Sequence, residues 1–293
     1  MSPRSTTLAT FVFLTLAGAL PAEGNTLFLT AHHSDLAQGY GYAVYALDTQ
    51  TGQFTNWWLM GGDHALSLPI AVDTTIRTVC FRPASEWACT GGGQYTLEGS
   101  STGTVYANAL PPGTAVTDST TDTRTNYLVD GVSGTVYQTN LDYTNPVALF
   151  TILGASDVWS GISYDPSNNS LWLSQAGGTG EIADFSLSGV LLSSFSTGHT
   201  NSALAFDPQD STLWLNDPTT AQFDLEHYST EGTLLGTLGL PADVSTKFID
   251  SVSGGEFAEV PEPLFISPLS SWFFVLLGFT LQRVRSKQHH GRA

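Results

Sequence analysis

Gly161-Ile-Ser-Tyr-Asp165-Pro166-Ser-Asn-Asn-Ser-Leu171-Trp172-Leu173 returns 42 residues later as Ala203-Leu-Ala-Phe-Asp207-Pro208-Gln-Asp-Ser-Thr-Leu213-Trp214-Leu215. The downstream parts match too: Phe185-Ser-Leu-Ser-Gly189-Val-Leu-Leu-Ser-Ser-Phe195 answers Tyr228-Ser-Thr-Glu-Gly232-Thr-Leu-Leu-Gly-Thr-Leu238. Each unit reads as four short strands. An aliphatic strand ends at Asp-Pro, and after a Ser/Asn turn the alternating Leu-Trp-Leu strand follows. A third strand is expected near Glu181 to Leu187, or Phe223 to Tyr228, and the fourth after the Ser-Gly or Glu-Gly turn.

Four strands in about 42 residues is the period of a β-propeller blade. Upstream, Ala115-Val-Thr-Asp118, Tyr127-Leu-Val-Asp130, Gly134-Thr-Val-Tyr137 and Val147-Ala-Leu-Phe150 fall under the same four strands, and residues 66–112 read as a further blade. Residues 26–60 supply only three strands, and Thr246-Lys-Phe-Ile-Asp-Ser-Val252 is expected to provide the missing inner one. Pairing chain start with chain end would remove exposed edges. The expected fold is all-β, a propeller of about five four-stranded blades, with six as the upper count and a two-sheet β-sandwich as the alternative. Trp172 and Trp214 recur at equivalent positions, which points to packing between blades. Trp57, Trp58 and Trp159 fall outside the repeat and are candidates for an exposed surface.

Composition narrows the partners. All 26 acidic residues lie between Glu23 and Glu262, where Arg77, Arg82, Arg124 and Lys247 are the four basic ones, a net of −22. Nucleic acid needs cationic neutralisation and an anionic membrane face repels such a surface, so neither is an expected partner of this segment. Abundant Gly, Ser, Thr, Asn and Asp suit short strands and tight turns.

Both ends read as targeting segments. Arg4, the 12-residue apolar stretch Leu8 to Ala19 and small residues up to Ala22 form a secretory signal peptide over residues 1–22, with 23–259 as the ectodomain. At the far end, Val260-Pro261-Glu262-Pro263 disfavours helix and strand. Leu264 to Leu281 follows without a charge over 18 residues, about the lower limit for crossing a bilayer core as a helix. Arg283, Arg285 and Lys287 in the basic tail 282–293 would hold that end on the cytoplasmic side. This order of motif, span and basic cluster resembles the PEP-CTERM sorting signal of Gram-negative bacteria, and the resemblance covers residues 260–293. It implies processing by the membrane protease-transpeptidase exosortase, a membrane-anchored precursor, and a final place at the cell surface or in the extracellular matrix. It also implies the company of exopolysaccharide and matrix proteins. An ordinary C-terminal anchor is the alternative.

Export makes the cysteines interpretable. Cys80 and Cys89, nine apart, are expected to form a disulfide in an oxidising compartment. Closing so small a loop would contribute about 2.7 kcal/mol in the chain-entropy model.

The sequence holds no Gly-x-Ser-x-Gly elbow, His-Glu-x-x-His, Cys-x-x-Cys or phosphate-cradling loop, so no catalytic residue and no cofactor is assigned. His32-His33-Ser34-Asp35 and Asp63-His64 have metal-ligand types, but adjacent strand residues point to opposite faces. Asp48-Thr-Gln-Thr-Gly52 lacks the full ligand set of a calcium loop. Exported propellers do include lactonase-like hydrolases with calcium in the central channel. Asp73, Asp118, Asp165 and Asp207 at inner-strand ends keep that alternative open, although their recurrence reads as turn chemistry. The first expectation is an exported structural or binding protein, not an enzyme.

Overall fold

The computed structural model describes residues 26–35, 39–60, 69–82, 89–107, 109–152, 158–220, 224–240 and 248–258. The signal peptide 1–22, Val260, Pro261, Glu262, Pro263, the span 264–281, and Arg283, Arg285 and Lys287 lie outside the described residues, as does His64.

The described residues contain strands and no helix. Blade 1 has β1 (Thr26–Asp35), β2 (Gly39–Asp48) and β3 (Gln53–Leu59). Blade 2 holds β4 (Ile70–Val72), β5 (Ile76–Arg82), β6 (Cys89–Tyr95) and β7 (Ser101–Ala107). Blade 3 holds β8 (Val116–Thr121), β9 (Thr125–Asp130), β10 (Thr135–Asn140) and β11 (Val147–Thr151). Blade 4 holds β12 (Trp159–Asp165), β13 (Ser170–Gln175), β14 (Glu181–Ser186) and β15 (Leu191–Ser196). Blade 5 holds β16 (Leu204–Asp207), β17 (Thr212–Asn216), β18 (Leu225–Ser229) and β19 (Leu234–Leu238). The last strand, β20 (Phe248–Phe257), pairs antiparallel with β1 from Leu27↔Phe257 to His33↔Phe248 and becomes the inner strand of blade 1. The expected closure is therefore made, by a strand that reaches five residues beyond Val252.

Alternation along each strand sends its side chains to two different blade interfaces. Leu171 and Leu173 join Val129, Val136 and Ile162 between blades 3 and 4, whereas Trp172 joins Leu213 and Leu215 between blades 4 and 5. Trp214 in turn joins Tyr45 and Val252 between blades 5 and 1. Two further clusters fill the interfaces of blades 1 and 2 and of blades 2 and 3. Five sheets thus share five cores around a ring, which excludes a two-sheet sandwich. The recurrent tryptophans are packing residues, as their period suggested.

Trp159 is a correction. It is 3% exposed and meets Phe185 edge-on at 6.3 Å between blades 3 and 4. It lies outside the repeated Leu-Trp-Leu position because it opens an inner strand. Trp57 is half-buried and stacks on Tyr45 at 6.0 Å, and Trp58 is half-buried in the interface of blades 1 and 2.

The turn into each outer strand locks onto the blade before it. Gly99 faces Trp58, Gly189 faces Phe150 and Gly232 faces Phe195, while Gly52 of blade 1 faces Leu238 of blade 5. Blade 3 does the same with a tyrosine: Tyr143 meets Tyr106 at 5.1 Å. Gly232 has φ +83°, and a Cβ there would lie 2.6 Å from Phe195 Cγ. Gly232→Val is therefore expected to cost about 2–4 kcal/mol, from left-handed strain plus overpacking. Gly113 is the control, with φ +92° and open space around its Cβ direction. Gly113→Ala should cost only about 1 kcal/mol. Urea midpoints of the two variants test the difference.

Cys80 is buried and disulfide-bonded. Cys89 opens the adjacent strand β6, where it pairs in register with Arg82.

Candidate functional site

Inner strands position the carboxylates that the sequence suggested for a channel. Asp118 is fully buried on β8, at a register shift between Val116 and Asp118 that turns it toward the neighbouring inner strands. Its Oδ1 accepts from the backbone N–H groups of Ser119 (2.9 Å) and Ile70 (3.4 Å), and its Oδ2 from that of Ile162 (3.3 Å). One side chain thus ties blades 2, 3 and 4 together. Burial pushes its pKa well above the ordinary carboxylate value, against the opposing effect of these three donors. Hydroxyls extend the ring: Thr120 Oγ1 accepts from Tyr164 N–H (3.0 Å), and Ser163 Oγ accepts from Phe206 N–H (2.9 Å). Ser163 also donates to Glu256 Oε1 of β20 at 3.3 Å.

The other three aspartates do not join Asp118. Asp73 accepts from the Arg77 guanidinium at 2.9 Å. Burial works to raise its pKa, but that hydrogen bond and the positive charge prevail, and it lies below the usual value. Asp165 accepts from Ser167 N–H (2.8 Å) and Trp172 Nε1–H (3.3 Å), and Asp207 from Gln209 N–H (2.9 Å). These are turn positions, the bland reading of the Asp-Pro repeat. Asp48 likewise accepts from Gln50 and Thr51 N–H groups at 2.9 and 3.0 Å. His32 and His33 occupy consecutive positions of extended β1.

Two features were missed by the sequence reading. A groove of about 380 Å³ between blades 3 and 4 is lined by Phe150, Ile152, Trp159, Phe185 and Leu191, with Glu181 at its polar side. The buried Trp159 Nε1–H has no hydrogen-bond partner among the described residues. The second feature is a cluster at one end of blade 5, where His199, Asp217 and Glu226 bring ligand-type atoms within 4.8 Å of one another. His199 comes from the β15–β16 connection, Asp217 follows β17, and Glu226 lies on β18. Comparing blade 5 with blade 4 exposes the cluster in the sequence: Glu226 stands where blade 4 has Ala183, and Asp217 where it has Gln175.

No protein-family model matches the sequence, and no curated protein does. Among solved structures, the chain is similar to one chain of a nidogen/laminin complex, with a TM-score of 0.51 and 14% identity over 79% of this chain and 98% of that one. It is also similar to a protein of unknown function from Bacteroides caccae, with a TM-score of 0.45 and 12% identity over 74% and 73% of the two chains. At such identity the likeness concerns fold alone. The described residues form a five-bladed β-propeller.

Proposed function

We propose that this protein is an exported structural or binding component of the bacterial cell surface or extracellular matrix, delivered through a C-terminal tail that exosortase processes. The geometric observation behind the non-catalytic reading is the use made of the inner carboxylates. Asp118 spends both oxygens on the backbones of three blades, and Asp73, Asp165 and Asp207 serve an ion pair and turns. A lactonase-like calcium hydrolase would need such groups to converge on the axis. The ring instead offers its rim. The apolar groove beside Trp159 and the exposed Leu191, Leu192, Leu234 and Leu235 on the outer strands of blades 4 and 5 provide contact area for matrix protein or exopolysaccharide.

Sorting is tested by the intact mass of the mature protein from its native host and from an exosortase-deficient strain. The expected result is loss of the mass beyond about Pro263 only where the enzyme is present. Retention of Leu264 to Ala293 in both strains would overturn the sorting reading and leave a membrane-anchored protein.

A further inference from the structure

We propose that blade 5 carries a binding site for a divalent transition-metal ion of the zinc class, with His199, Asp217 and Glu226 as its protein ligands. His199 Nδ1 lies 3.1 Å from the carbonyl oxygen of Thr200. A carbonyl only accepts, so where this bond holds the proton of a neutral imidazole on Nδ1, Nε2 presents a lone pair. That Nε2 is buried and has no hydrogen-bond partner, yet Glu226 Oε2 stands 2.9 Å away. Two acceptors at this distance need a proton or a metal cation between them, and the third group, Asp217 Oδ1, stands 3.9 Å from the ring's Nδ1.

The surroundings have the form of a metal site's supporting shell. Ligating histidines usually donate their second ring N–H to a backbone carbonyl or carboxylate, and ligating carboxylates are themselves hydrogen-bonded. Here Thr200 receives the second ring N–H. Asp217 Oδ1 accepts from Thr219 N–H (2.8 Å) and Oγ1–H (2.6 Å), and Glu226 Oε2 accepts from Tyr228 O–H (2.8 Å). The loop carrying His199 is pinned as well: its carbonyl accepts from Thr197 Oγ1–H (3.0 Å) and from the buried Asn201 Nδ2–H (3.3 Å). Gly180 of blade 4 leaves the necessary room, because a Cβ there would strike the His199 carbonyl.

Comparison of the two sharp repeats gives an independent line. In register, Leu173↔Ala183 of blade 4 corresponds to Leu215↔Glu226 of blade 5, and Leu171↔Phe185 corresponds to Leu213↔Tyr228. Blade 4 shows that the fold is content with a buried alanine and a phenylalanine at these places. Blade 5 has a carboxylate and, two residues on, the hydroxyl that steadies it. Blade packing does not require that pair of changes.

One imidazole and two carboxylates suit zinc or a neighbouring first-row ion better than magnesium or calcium, which prefer all-oxygen shells. Ligand atoms on one zinc stand about 3–3.5 Å apart, given bonds of about 2.0–2.2 Å. On binding, the wider separations of up to 4.8 Å therefore contract, the 2.9 Å His199–Glu226 pair opens slightly, and water completes the shell.

The experiment uses the full chain, purified in detergent, stripped by a chelator and titrated with zinc chloride by calorimetry, alongside metal content per chain. Wild type should show one site that Glu226→Ala and His199→Asn each weaken by about 100-fold or more. Glu226→Ala restores the blade 4 residue, so its urea midpoint should stay close to wild type and separate lost binding from lost folding. The proposal is overturned by absence of this site in wild type at neutral pH, which would leave an imidazolium–carboxylate ion pair. Equal binding in wild type and both variants would overturn it too, assigning the metal to other histidines of the chain.

Discussion

Asp118→Ala is expected to lower the folding stability by about 3–5 kcal/mol, because it orphans three backbone N–H groups in the interior at about 1–3 kcal/mol each. The estimate sits toward the low end since two of the three bonds are long, at 3.3 and 3.4 Å. Asp118→Asn should be milder, because its amide oxygen still accepts on one side while its NH2 meets a donor on the other. The same pair yields a pH test. Asp118 is held above its ordinary value of 3.8, so the folded state binds this proton more tightly than the unfolded state. Its contribution is full below the unfolded pKa and is lost as pH rises through the folded pKa. Wild type should therefore gain stability relative to Asp118→Asn as pH falls toward about 4. Urea midpoints of the two proteins across this range decide the matter, and parallel curves would show that burial does not raise the folded pKa.

Ending the chain before Phe248 should have an effect at least as large. Strand β20 brings Val252 (0% exposed) and Phe257 (3% exposed) into the cores and places Glu256 beside Ser163 across the ring. Burial of those two apolar side chains alone amounts to about 3–6 kcal/mol, against a net stability of about 5–15 kcal/mol for an ordinary domain. The truncation also bares the edge of β1 as a template for intermolecular pairing. A chain ending at residue 247 is expected to aggregate and to lose its cooperative urea transition and near-ultraviolet dichroism. A chain ending at Ala258 should keep both. Cooperative unfolding of the shorter chain would show that the ring holds without its closing strand.

These effects separate what is written locally from what the ring creates. Asp-Pro stops, alternating Leu-Trp-Leu triplets and a 42-residue period were enough to set blade size and to narrow the count to five or six, and the three-strand start at residues 26–60 called for a closing strand. Strand alternation also placed Trp172 and Trp214 in the interfaces, since a period of two and a repeated register are local properties. Trp159 escaped that logic: its burial comes from Phe185, two strands away in its own blade, and from the adjoining blade, with no repeat partner to reveal it. Asp118 looked like Asp165 and Asp207 in the sequence, yet a one-residue register shift turns it into a tie among three blades. The gathering of His199, Asp217 and Glu226 is likewise a tertiary result. Three segments separated along the chain meet because the β15–β16 connection and the β17–β18 end share one side of blade 5. Periodicity specifies which face of a strand is buried, whereas only ring closure decides which side chains from different strands stand opposite one another.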